Sequence, residues 1–170
     1  MTEIVFSKAL SKEIDFWVAK FPKDQKRSAV IMALRLAQEA HGAADEPVIR
    51  AVAKYLDLPV VQVSEVASFY TMYRAKPAGK YRLAVCNSIS CMLCGSKQLI
   101  THLETVLGVK VGGEPTEDGL FSLHETECLA ACSMAPALVI NDEKYHYNVT
   151  HEAANELIES LRNEEPDHAS

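Results

Sequence analysis

The chain has 170 residues, of which 48% are hydrophobic and 24% charged, and these proportions exclude a disordered or collagen-like protein. Its 17 basic and 23 acidic side chains give a formal net charge of −6, which argues against nucleic acid as a partner. The five cysteines are too few for a disulfide scaffold, and an odd number cannot pair completely within one chain.

The cellular compartment is predicted from the N-terminus and the apolar runs. No basic segment followed by an apolar one opens the chain, and the runs 29–34 and 135–140 are too short to span a bilayer. We therefore expect a cytoplasmic protein with reduced thiols and no direct membrane insertion. Cysteines in such a protein are more often metal ligands or redox groups than disulfides.

The first half of the chain is predicted to be helical. Apolar side chains recur at spacings of three and four between residues 25 and 41, and Gly42 follows where a helix should stop. Asp45 is expected to cap the next helix, which has Pro47 in its first turn. The four predicted helices cover residues 8–21, 25–41, 46–56 and 60–72.

The pattern changes after the break at Pro77-Ala78-Gly79. Strands are predicted at residues 80–85, 120–124, 137–140 and 144–149, with helices at 95–107 and, capped by Thr150, at 151–162. The predicted fold class is therefore α+β. A helical bundle would occupy residues 1–78 and a compact α/β domain residues 79–170, with a frayed tail over the last eight residues.

All five cysteines lie in the second half, as one group of three (Cys86, Cys91 and Cys94) and one of two (Cys128 and Cys132). Each group closely follows a predicted strand. Loops at the ends of neighbouring strands can meet, so the two groups are predicted to form one site. Soft thiolates select zinc, cuprous copper or an iron–sulfur cluster. No histidine lies inside either cysteine loop, which argues against a Rieske-type centre.

The spacing leaves several ligand sets open. Cys86, Cys91, Cys94 and Cys128 resemble the run of plant-type ferredoxins, which would leave Cys132 spare. Two cysteines from each loop would instead leave Cys94 as a small buried residue in the first turn of the following helix. A structural zinc module also fits four thiolates. A thiol–disulfide enzyme could use the C-x-x-C of Cys91 and Cys94, but it leaves the other three cysteines without a role.

The cysteine pairs and the residues around them resemble one known family. The C-x₄-C and C-x₃-C pairs stand about forty residues apart, and the second is followed by Ala135-Pro136. Upstream, VAKYL at 52–56 and EVASFYTM at 65–72 extend the similarity. Together these motifs resemble the thioredoxin-like [2Fe–2S] subunit of NADH:quinone oxidoreductase, which is the E subunit of bacterial complex I.

The resemblance implies a thioredoxin-like [2Fe–2S] domain in residues 79–170 and an electron-transfer role with no catalytic residue on this chain alone. The cluster ligands would be Cys86, Cys91, Cys128 and Cys132. It also implies a partner subunit that binds FMN and NADH, and a position at the inner face of the cell membrane through the complex. The equivalent subunit of an NAD-linked formate dehydrogenase or hydrogenase would share these features.

The chain departs from many relatives near its cysteines. Asn87, Ser90 and Ala130 stand where threonine, proline and glycine are common, but none of them replaces a ligand. The seven glycines form neither G-x-G-x-x-G nor a phosphate-binding loop, so FMN and NADH are not expected here. Four thiolates on an oxidised core leave a formal charge of about −2. Backbone N–H groups of residues 87–90 and 129–131 are predicted to offset part of it.

Three further expectations concern residues outside the cysteine pairs. Phe69 and Tyr70 are predicted to pack in the core, with a subunit contact as the alternative. The six histidines are expected to be solvated or part of the core, because no two stand at metal-binding spacing. Pro136 is a candidate for a cis peptide bond.

Overall fold

The computed structural model describes residues 4–164, which divide into two compact units. One unit ends at Pro77 and the other begins at Ala78. Helices make up the first unit, while helices and a sheet make up the second, so the predicted α+β class is confirmed. Within the described residues, no helix is long and apolar enough to cross a membrane. Most of the tail predicted to fray lies outside the described residues.

Between residue 4 and Pro77 the structure describes four helices, and a 3₁₀ turn, Lys26–Ala29, precedes the second of them. They are α1 (Lys8–Val18), α2 (Val30–His41), α3 (Glu46–Leu56) and α4 (Val60–Phe69). Their buried faces meet in one apolar core, whose fully enclosed side chains include Ile14, Leu34, Val52, Leu56 and Val63.

The predicted helix ends are confirmed at two places in this unit. Gly42 ends α2 with φ at 85°, a left-handed conformation that glycine adopts without a steric penalty. Asp45 precedes α3, and its Oδ1 accepts a hydrogen bond of 3.0 Å from the backbone N–H of Val48. Each cap satisfies a backbone group that the helix itself leaves without a partner.

The end of α4 and the residues after it differ from the prediction. The helix stops at Phe69 instead of Met72, because the backbone of Tyr70 is extended. The side chains of Phe69 and Tyr70 are 78% and 38% exposed, so the prediction that they pack in the core is wrong. Their rings contact each other edge to face, with centroids 5.1 Å apart.

From Ala78 to residue 164, the second unit is built on a mixed four-stranded sheet in the order β2-β1-β3-β4. The strands are β1 (Tyr81–Cys86), β2 (Phe121–Thr126), β3 (Leu138–Ile140) and β4 (Lys144–His146). The helices are α5 (Ile89–Leu93), α6 (Ser96–Leu107) and α7 (His151–Asn163). Strands β1 and β2 are parallel, whereas β1–β3 and β3–β4 are antiparallel. A parallel pair needs a crossover connection, and α6 lies within that connection.

The core of this unit lies between the central strands and helices α6 and α7. Its most enclosed side chains come from β1, β2, β3 and both helices, and include Leu83, Leu99, Leu103, Phe121, Leu123, Leu138 and Ile158. Gly79 stands just before β1, where an added Cβ would lie 2.5 Å from the backbone carbonyl carbon of Phe121. Only glycine therefore fits this close approach between the two parallel strands.

The predicted order of strands and long helices is confirmed, but helix α5 is an addition to it. The sequence predicts a loop after Cys86, whereas residues Ile89–Leu93 form a short helix that begins after Ser88. Five residues are too few to show helical periodicity in the sequence. Because α5 carries Cys91, this turn decides where the second thiol of the first cysteine loop lies.

Candidate metal centre

The first cysteine loop places two buried thiols. Cys86 is the last residue of β1 and is 2% exposed, and Cys91 sits in the middle of α5 and is 3% exposed. Ser88 stands at the N-cap of α5, but its side chain makes no capping hydrogen bond to the helix. The hydroxyl is instead within hydrogen-bonding reach of the thiol of Cys86.

The second cysteine loop leaves both of its thiols exposed. Cys128 lies two residues beyond the end of β2, and Cys132 opens a 3₁₀ turn, Cys132–Met134. Between them Ala130 has φ at 57°, the left-handed conformation that is unfavourable for a residue with a Cβ. Its backbone N–H donates a hydrogen bond of 3.4 Å to the Sγ atom of Cys128.

The sheet brings these two loops together. The parallel register aligns Cys86 with Thr126, so both loops leave the same end of the strand pair. The backbone N–H of Asn87 donates to the carbonyl oxygen of Thr126 at 3.0 Å, and that of Cys86 donates to the carbonyl of Ala137 at 3.0 Å. Cys86 and Cys91 share an apolar cluster with residues of the second loop, namely Leu129, Ala131, Ala135 and Ala137. The prediction that neighbouring strand ends bring the loops into one place is therefore confirmed.

Hydrogen bonds and burial act in opposite directions on the two enclosed thiols. Burial raises the pKa of Cys86, but hydrogen bonds from the backbone N–H groups of Ser88 and Leu129, with further ones from Cys91 and the Ser88 hydroxyl, bring it below its usual value. Burial likewise raises the pKa of Cys91, and the neighbouring thiols of Cys86 and Cys132 keep it raised despite the N–H of Ala137. The electrostatic coupling between Cys91 and Cys132 is further evidence that the loops adjoin.

The N–H donors to sulfur agree in part with the prediction. Ser88, Leu129 and Ala130 lie in the two predicted donor segments, whereas Ala137 lies outside both. The Ser88 hydroxyl is also absent from the sequence prediction, which names only backbone N–H groups as donors. The only sequence signal for it is its position two residues after Cys86.

The fifth cysteine, Cys94, is not where the sequence predicts it. The prediction buries it in the first turn of the following helix, but it is exposed and forms the C-cap of α5. Helix α6 begins only at Ser96, after Gly95 with φ at 96°. Pro136 follows a cis peptide bond after Ala135, as predicted.

The donor set at this end of the sheet fits an iron–sulfur cluster. Thiolates are soft ligands, and N–H groups directed at sulfur stabilise the negative charge of such a cluster. Among residues 4–164, no group of three or more His, Cys, Asp or Glu side chains is arranged to hold a single metal ion. A [2Fe–2S] cluster does not require such a group, because each of its two irons binds only two protein ligands.

This pairing of a mixed sheet with two adjoining cysteine loops is matched by a known family. The family model described as thioredoxin-like [2Fe–2S] ferredoxin matches residues 14–162. The chain belongs to this thioredoxin-like [2Fe–2S] ferredoxin family. The predicted fold and the predicted [2Fe–2S] cofactor are thereby confirmed.

The chain is also similar to individual proteins named as subunits of NADH-quinone oxidoreductase. The E 2 subunit of NADH-quinone oxidoreductase from Rhizobium meliloti (strain 1021) is 44% identical over 153 residues, which cover 90% of this chain and 89% of that protein. The E subunit from Rickettsia conorii is 40% identical over 168 residues, covering 96% and 98%. NADH-quinone oxidoreductase subunit 2 of Thermus thermophilus is 39% identical and covers 85% and 79%. The similarity to the E subunits of complex I is confirmed, and with it the class of oxidoreductase component.

A solved structure shares the fold. An NAD⁺-reducing [NiFe]-hydrogenase in its H₂-reduced state superposes with a TM-score of 0.66 at 22% identity. The match covers 78% of this chain but 22% of the hydrogenase chain, so this chain spans about a fifth of that protein. At this level of identity the likeness concerns the fold alone.

Proposed function

We propose that this chain is the electron-transfer subunit of an NADH:quinone oxidoreductase, carrying its [2Fe–2S] cluster next to the subunit that binds FMN and NADH. The relatives named as subunits of NADH-quinone oxidoreductase, which cover most of this chain at 39–44% identity, support the assignment to such a complex. The chain itself offers no glycine motif for a dinucleotide, so the hydride chemistry of NADH belongs to the partner.

The proposed ligands are Cys86, Cys91, Cys128 and Cys132. The main support for this ligand set is the parallel register of β1 and β2, which brings the two loops to one end of the sheet. Contact between the loops around Cys86 and Cys91 supports it as well. Cys94 is left out, because it caps the end of α5 and is exposed.

The residues of this chain would hold the cluster and set its environment. When bound, the cluster accepts and releases one electron at a time. Burial of Cys86 and Cys91 excludes water from one side of the site. The N–H groups of Ser88, Leu129, Ala130 and Ala137 stabilise negative charge on the sulfurs. The exposed thiols of Cys128 and Cys132 leave the other side open to a partner.

Electron transfer from NADH tests this function directly. We expect the purified chain, reconstituted without oxygen, to contain about two iron and two acid-labile sulfide per chain and to give a [2Fe–2S] EPR signal on reduction with dithionite. NADH should reduce it only when the FMN-binding subunit is added in catalytic amount. Reduction by NADH in the absence of that subunit would contradict the proposal that NADH is oxidised by the partner. One zinc per chain without iron would contradict the assignment of a [2Fe–2S] cluster.

The identity of the flavoprotein that copurifies with this chain tests which complex the chain belongs to. We propose that the chain lies at the inner face of the cell membrane through its complex, and that the flavoprotein purified with it belongs to a quinone-reducing assembly. Isolation of the complex from native membranes with a tag on this chain should yield quinone reduction by NADH. Recovery of hydrogenase or formate dehydrogenase subunits instead would assign the chain to one of those complexes.

A further inference from the structure

The short helix α5 has one buried side and one strongly exposed apolar side. Cys91 points into the site and is 3% exposed, whereas Ile89 and Leu93 are 69% and 81% exposed. These two side chains are four residues apart, which puts them on the same face of the helix. We call Ile89 and Leu93 the α5 patch. Single exposed apolar residues are common on monomers, but here both occupy the helix that positions a proposed ligand.

The chain around the two cysteine loops is acidic. Residues 83–96 and 121–138, which include both loops, contain no lysine or arginine, and their acidic residues are Glu125 and Glu127. Both are exposed and lie within three residues of Cys128. Glu125 is also tied to the first loop, because its Oε2 accepts a hydrogen bond of 3.0 Å from Nδ2 of Asn87. Four thiolates on an oxidised cluster add a formal charge of about −2.

We propose that the α5 patch is the docking surface for the FMN-binding subunit, and that the partner's surface carries an apolar pocket ringed by lysine and arginine. This inference rests on the proposed function. Charge complementarity supports this occupant, since Glu125, Glu127 and the negatively charged cluster beside them repel an acidic partner surface and attract a basic one. Another copy of this chain would present the same negative charge and is disfavoured.

Docking at this surface suits electron transfer. Helix α5 starts three residues after Cys86, and its buried side faces the second cysteine loop, so a partner covering Ile89 and Leu93 approaches the cluster closely. Burial of two apolar side chains holds the complex, because central apolar contacts contribute most of the binding energy at such interfaces. The acidic residues then act mainly on the rate of association.

The first test measures affinity with the reconstituted holo-protein and the purified FMN-binding subunit. The double variant Ile89→Ser and Leu93→Ser should bind at least about tenfold more weakly, while its reduced EPR signal stays that of the parent. Val5→Ser is the matched control, because Val5 is 84% exposed and lies outside the second unit. Equal weakening by Val5→Ser, or unchanged affinity of the double variant, would overturn the proposal.

The second test measures the charge dependence. Glu127→Gln should slow association with the FMN-binding subunit by roughly threefold and flatten its dependence on salt. Glu159→Gln, which removes an exposed carboxylate from α7, should leave the association rate unchanged. Faster association of Glu127→Gln would show that the partner's facing surface is acidic and would contradict the proposal.

The outcomes separate this inference from the function on which it rests. If the parent holo-protein does not bind the FMN-binding subunit, the proposed function fails. If the parent binds and the double variant binds equally well, only the docking surface is wrong. Dimerisation of the parent that the same double variant abolishes would identify a second copy of this chain as the occupant and refute the proposal.

Discussion

The two ends of the parallel strand pair β1–β2 are built in opposite ways. At the starting end, the rings of Tyr81 and Phe121 pack with centroids 5.6 Å apart, and Gly79 lets the backbones approach closely. Phe121 is completely buried there. At the finishing end, the strands lead into the two cysteine loops, where Cys86 and Cys91 are buried and Cys128 and Cys132 are exposed.

The contrast shows how one element serves both stability and chemistry. Side chains at the starting end lock the register by packing, and that register then fixes which residues face each other at the finishing end. In sheets with parallel strands, sites for ligands and cofactors lie beyond the carboxyl ends of the strands. The following predictions separate the two ends, beginning with the largest expected effect.

Truncating a side chain should destabilise the protein strongly at the starting end of the strand pair and very little at the finishing end. Phe121→Ala removes a fully buried ring and should lower the free energy of unfolding by about 4 kcal/mol. Leu93→Ala, at a side chain that is 81% exposed, should change it by less than about 0.5 kcal/mol. Urea unfolding of the two variants, followed by circular dichroism, checks the difference. Comparable losses in both would mean that α5 is part of the folding core.

The second cysteine loop should contain strain that glycine relieves. Ala130 has φ at 57°, so Ala130→Gly should raise the free energy of unfolding by up to about 1 kcal/mol. Ala131 is the matched control, because its φ is −114° and glycine there should instead destabilise by about 0.5 kcal/mol. Thermal unfolding of both variants measures the two signs. A loss of stability in Ala130→Gly would refute the left-handed conformation at this position.

The smallest expected effect lies in the reduction potential. Ser88→Ala removes a hydroxyl donor to Cys86, which leaves the more negative reduced state less stabilised. The potential should fall by an amount on the order of 20–40 mV, equivalent to about 0.5–1 kcal/mol for one electron. Ser88→Thr should restore it, and Ser90→Ala on the same turn should leave it unchanged. An EPR-monitored redox titration measures these shifts, and an unchanged potential in Ser88→Ala would exclude the hydroxyl as a tuning group.

Features that depend on local sequence could be predicted. Gly42, Asp45 and Thr150 mark helix ends through their own backbone or side-chain chemistry, and each is found in that role. The meeting of the two cysteine loops was also predictable, because each loop follows a strand and parallel neighbours end at one edge.

Features that depend on tertiary contacts could not be predicted from the sequence. Helix α5 is too short for a periodic signal, and the exposure of Phe69, Tyr70 and Cys94 depends on what the rest of the fold leaves uncovered. The rings of His102 and His151 stack with centroids 4.3 Å apart, although they are far apart in the sequence. That contact arises because α6 packs against α7, and no sequence spacing signals it.

The central claim is that the cluster is held by two thiolates from each loop, and single Cys→Ser variants of all five cysteines test it most directly. EPR spectra of the reduced, reconstituted proteins should be lost or strongly altered for Cys86, Cys91, Cys128 and Cys132, and unchanged for Cys94. An unchanged signal in Cys132→Ser together with a lost signal in Cys94→Ser would contradict the account and favour the plant-type ligand set.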